Sequence, residues 1–106
     1  MSQGSAGACL VPAWWSGLQL TRHATDKLDT YGIDGSRLES WRAALDSGDP
    51  FLDVTTGALV LVIHWEERPW FVILSEDGDR VLTTYPSDER TVMNRRGGGR
   101  WISPRT

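Results

Sequence analysis

Residues 58–85 constrain this chain more than any other stretch. They hold three short apolar runs, ALVLVIHW, WFVILS and RVLTTY, separated by EERP and EDGD. Val, Ile, Trp, Phe and Thr fit a pleated, half-buried surface and the intervening residues form turns, so the pattern predicts a three-stranded antiparallel meander. Asp77-Gly78 is a strong hairpin signal between the second and third strands. The first strand, from Ala58, is apolar on both faces, which predicts a central and covered position. A turn over residues 66–69 leads to the second strand at Trp70. In the third strand a period of two puts Val81, Thr83 and Tyr85 on one face and Leu82 and Thr84 on the other.

The residues before the meander supply helices to cover it. Leu18 to Leu20 is a short extended piece. Thr21 can cap a helix from Arg22 to about Tyr31, with Gly32 as its stop. Ala24, Leu28 and Tyr31 recur on it at helical spacing as a core stripe. Asp34 or Ser36 begins a second helix through about Ser47, burying Leu38, Trp41, Ala44 and Leu45, and Gly48, Asp49 and Pro50 end it. Residues 51–56 are a short first strand or a crossing loop. Residues 87–93 are one helical turn or a loop, and Trp101 and Ile102 a last edge strand. The order predicts an α+β fold, two N-terminal helices packed on an antiparallel sheet of three to five strands. A length of 106 residues suits a single domain, placed at 13–106 after a Gly, Ala and Ser-rich segment 1–12 expected to be loose.

Composition narrows the function classes. No apolar run approaches the ~20 residues of a membrane span, and no basic flank precedes the apolar patch near the N-terminus, so an intracellular, cytoplasmic protein is predicted. The single Cys9 leaves no internal disulfide and no zinc site, and neither metal nor cofactor is expected. The net charge of -3 argues against indiscriminate nucleic-acid binding, but it averages an asymmetry. From Arg90 to Thr106 there are five arginines and no acid, +5 against -8 for the remainder. A basic patch on an acidic body meets phosphate in one place only. The plainer reading is a solubilising terminal charge run.

The front segment LTRHATDKLDTYGI and the later VLTTYPSDERTVMNRR resemble the superfamily of small ribonucleases that includes barnase, EndoU, colicin D and RelE. They are most similar to small bacterial members whose first helix reads His-Ala-x-x-Arg-x-x-x-x-Gly-Ile, here His23, Ala24, Lys27, Gly32 and Ile33, with Lys for Arg. Those proteins close a sheet strand with Thr-x-Tyr-Pro, here Thr83, Tyr85 and Pro86. The resemblance spans residues 20–101 and implies RNA cleavage to a 2′,3′-cyclic phosphate and a 5′-hydroxyl.

The residues themselves suit that chemistry. Metal-free RNA cleavage needs a base for the 2′-hydroxyl proton, cations for the phosphate and a proton donor for the 5′-oxygen. His23 can fill either proton role. Lys27, one turn on, offers a fixed positive charge. Thr83 and Tyr85 can donate hydroxyl hydrogen bonds, and Arg95 and Arg96 can grip phosphate bidentately. His23, Lys27, Thr83 and Arg95 are the catalytic candidates; Tyr85, Arg96, Arg100 and Trp101 are the substrate-binding ones, Trp101 by stacking on a base. They converge only if the first helix packs beside the third strand. Each also has a plainer role: Lys27 as a solvated helix flank, Tyr85 as a core anchor, the tryptophans as packing. His64, beside Trp65, reads as structural.

Two functional classes follow. One is a toxin or effector endoribonuclease acting on messenger or transfer RNA and restrained by an antitoxin or immunity protein. The other is a non-catalytic RNA- or protein-binding module on the same scaffold, a class that includes regulators of phage or mobile-element origin.

Overall fold

The computed structural model describes residues 18–104; the segment 1–12, Trp14, Trp15 and Arg105 lie outside them. In chain order the elements are β1 (Gln19–Leu20), α1 (Arg22–Thr30), α2 (Gly35–Ala44) with a 3-10 turn (Leu45–Ser47), β2 (Asp49–Asp53), β3 (Leu59–Trp65), β4 (Arg68–Leu74), β5 (Arg80–Pro86), α3 (Glu89–Gly97) and β6 (Trp101–Ile102). The strands form one sheet in the order β1-β5-β4-β3-β2-β6. Only the β1–β5 pairing is parallel.

The α+β class expected from the pattern stands. The expectation of two helices on three to five strands does not: among the described residues the sheet has six strands, and a third helix follows β5. The extra strand is β1, a two-residue edge piece too short to carry a periodic signal of its own. The third helix has only Val92 buried, so no apolar stripe marks it. Local capping explains it instead. The Asp88 carboxylate accepts from Thr91 N, Glu89 stands in the first turn and Arg95 and Arg96 in the last, each charge complementing the helix dipole.

α1 forms with the cap and stop its sequence dictates, Thr21 Oγ1 accepting from Ala24 N and Gly32 following at φ +75°, but Tyr31, expected in the core stripe, falls just past its last turn and is exposed. Ala24 and Leu28, with Trp41 of α2, cover one face of the sheet, built from Leu61, Ile63, Val72, Leu74 and Val81. The other face carries Phe51, Val60, Val62, Phe71 and Trp101 and is covered by Val92 of α3. β3 and β4 are therefore apolar on both sides because both sides are covered.

Two local expectations are corrected. Val81 does not share a face with Thr83 and Tyr85. Ile73 pairs with Thr83 but Leu74 pairs with Val81, so Leu82 is the extra residue of a bulge, which shifts the alternation by one. The turn before β4 is also tighter than expected. Only Glu66 and Glu67 form it, both at positive φ, and Pro69 already lies in the strand. Such a type I′ turn normally takes Asn-Gly. Here Glu66 is held by Arg37 at 2.7 Å, and the Arg37 guanidinium lies 5.0 Å from the Trp65 ring.

Gly48 sets how closely the chain passes over β3. A Cβ there would stand 2.7 Å from Leu61 Cγ and 2.9 Å from Ile63 Cγ2. Gly48→Ala is expected to lose about 1–3 kcal/mol by overpacking, read as a lower denaturant midpoint at unchanged m-value.

Candidate nucleic-acid interface

The face of the sheet under α3 gathers most of the residues singled out for phosphate binding. Register places Thr83 opposite Ile73 and Tyr85 opposite Phe71, and the Tyr85 ring meets Phe71 edge-on at 5.6 Å. α3 then lays its last turn over the same aromatic floor. The Arg95 guanidinium is 5.5 Å from the centroids of both Phe71 and Trp101, and that of Arg96 is 5.4 Å from Phe51. These distances fall within the range at which a ring face attracts a cation. A guanidinium drawn to ring faces still has N–H donors to offer an anion. Among the described residues neither arginine has a carboxylate within 4 Å. Thr83, Tyr85 and Arg95 are half-buried and Arg96 is exposed.

Arg100 and Trp101 serve the frame of this face. Both oxygens of buried Asp53 accept from Arg100 Nε at 3.0 Å, Oδ2 accepts from Trp101 Nε1 at 3.3 Å, and Oδ1 accepts from the backbone N–H groups of Thr55 and Thr56. Burial alone would raise the Asp53 pKa, but the Arg100 hydrogen bond, followed by those of Thr56, Thr55 and Trp101, outweighs it and holds the carboxyl at about 2. Trp101 is 3 % exposed and stacks on Phe51 at 5.3 Å. The expectation that it stacks on a base is corrected: both its ring and its N–H are already engaged. Arg100 keeps its guanidinium part-exposed, with Nε committed to Asp53.

His23 and Lys27 are placed elsewhere. α1 runs beside β5, as convergence required, and Thr21 Oγ1 donates to Leu82 O at 3.1 Å. However, α1 covers the face opposite to α3. His23 is exposed there and Lys27 half-buried. The structure thus brings Thr83, Tyr85, Arg95 and Arg96 to one face and leaves the helix-borne pair on the other.

Four residues of this region stood outside the candidate set: Phe51, Phe71, Asp53 and His64. Phe71 and Phe51 looked like ordinary core. Asp53 carried a faint signal in Asp-Val-Thr-Thr-Gly, an acid before a turn whose N–H groups it can accept. His64 is 54 % exposed, and its Nε2 lies 2.8 Å from Glu89 Oε2. Nothing in the sequence links residues 25 positions apart.

No family model, curated protein or solved structure matches the chain. The ribonuclease resemblance rests on its short motifs. Among the described residues no group of three or more His, Cys, Asp or Glu could hold a metal ion, and no helix is long and apolar enough to cross a membrane.

Proposed function

We propose that the α3 face binds RNA and that the protein is a metal-independent endoribonuclease of toxin or effector type. It directs a 2′-hydroxyl onto the adjoining phosphate to leave a 2′,3′-cyclic phosphate and a 5′-hydroxyl. The observation that carries this reading is the pair of guanidinium groups on Phe51, Phe71 and Trp101, unpaired by carboxylates among the described residues and over the sheet face that carries Thr83 and Tyr85. Rings fix the cations before substrate arrives, so less side-chain freedom is lost on binding and the charge stands ready for the transition state. Messenger or transfer RNA is the substrate class, and an antitoxin or immunity protein the expected restraint. The acidic body leaves this face as the favourable approach for a polyanion.

A second reading is favoured by the position of His23 and Lys27 over the other face: a non-catalytic module that binds RNA, or an acidic protein, through the same arginines. The two are separated by incubating the purified protein with total cellular RNA in excess chelator and mapping the ends. Chelator-resistant cuts bearing cyclic phosphate are expected. Arg95→Ala with Arg96→Ala is expected to weaken RNA binding about tenfold or more and to flatten the salt dependence by about two phosphate contacts. Intact RNA with salt-sensitive binding would establish the module instead. The absence of both cleavage and RNA binding would overturn the ribonuclease reading and leave, of the module reading, only the acidic protein partner.

A further inference from the structure

We infer that His64 is the proton acceptor of this face and Glu89 its positioning residue, an assignment that rests on the ribonuclease reading above. β3 is buried or half-buried along its length except at His64, the point where the cover of α3 begins. The exposed imidazole is held by its hydrogen bond to Glu89, 2.8 Å away on the first turn of α3. An ionised carboxylate only accepts hydrogen bonds, so Nε2 carries the proton and donates. In the neutral ring Nδ1 is then a free acceptor, and among the described residues nothing else bonds to it. One nitrogen oriented by a carboxylate and the other open is the arrangement a histidine base requires.

Its position fits a shared substrate. His64 pairs with Pro69 across the β3–β4 ladder, so Phe71, two residues on, is its diagonal neighbour on the same face, about 7–8 Å away. Arg95 lies over Phe71. His64 and Arg95 therefore both border Phe71 on this face, and one phosphodiester reaching both is the substrate pose the assignment requires. Nδ1 takes the 2′-hydroxyl proton as the 2′-oxygen bonds to phosphorus. The bond from phosphorus to the 5′-oxygen breaks, that oxygen gains a proton from water, and the imidazolium returns its own to solvent. The strand is cut with no net change in protons.

An exposed pair of this kind contributes little to folding, so removing it tests chemistry rather than stability. The experiment compares wild type, His64→Ala, Glu89→Gln and His23→Ala on a short single-stranded RNA in chelator. It follows cyclic-phosphate formation, RNA affinity and the thermal midpoint. His64→Ala is expected to cut about 100-fold more slowly or worse, the scale of general base catalysis, with affinity within about threefold of wild type, an unchanged midpoint and partial recovery on adding free imidazole. Glu89→Gln is expected to fall between the two, and His23→Ala to cut like wild type. Cleavage by His64→Ala within twofold of wild type, or a loss confined to His23→Ala, would overturn the assignment while leaving a ribonuclease. A wild-type protein that binds RNA but never cuts it would overturn the ribonuclease reading and the assignment together.

Discussion

Asp53→Ala is expected to lower the stability of the fold by about 3–4 kcal/mol, because it orphans several donors at once and leaves the Arg100 guanidinium without its carboxylate. Its five contacts tie the end of β2 to the turn behind it and to the β6 strand. Through Trp101 they also tie the frame to the aromatic floor on which Arg95 rests. RNA affinity should therefore fall along with stability, although Asp53 touches no substrate in the proposed reading. Denaturant unfolding gives the first quantity and fluorescence anisotropy with labelled RNA the second. A loss below about 1 kcal/mol would show that backbone pairing alone holds β6.

The same carboxylate sets an acid limit. Its folded pKa is about 2 against an ordinary 3.8. A group depressed on folding contributes stability that is fully present above the unfolded value and lost as pH falls through the folded one. The contribution, about 2 kcal/mol at neutral pH, should fade between about pH 4 and pH 2. Asp53→Asn should flatten the stability profile in that window. A parallel profile for the variant would assign the acid sensitivity to other carboxylates.

Trp41→Ala is expected to cost about 3–5 kcal/mol, the range for emptying a large buried aromatic site. Trp41 is 0 % exposed and meets Trp70 edge-on at 6.4 Å, joining α2 to the sheet at the centre of the larger core. Among the described residues its Nε1 is buried without a partner, as is that of Trp70. An unpaired buried N–H carries a desolvation penalty, so Trp41→Phe, which removes the N–H together with part of the ring, should cost about half as much as alanine or less. Equal losses from the two variants would show that volume alone decides at this site. Unfolding followed by circular dichroism suits both, since each variant removes a fluorophore.

The sequence by itself determined the parts of this protein that depend on neighbours in the chain. The cap at Thr21, the stop at Gly32, the hairpin at Asp77-Gly78 and the double-sided burial of the first meander strand were all legible, since caps, turns and periodicity act over a few residues. The grouping of arginines after Arg90 was legible for the same reason. Tertiary structure decided what those rules do not reach. Pairing with β4 forced the bulge at Leu82 and moved Val81 away from Thr83. Closure of β6 on β2 turned Trp101 from an open platform into a buried anchor. Covering the sheet on both sides separated His23 from Arg95 and brought His64 to Glu89. Each of these is fixed by which surfaces must be buried together, a property of the whole chain that no short window of residues contains.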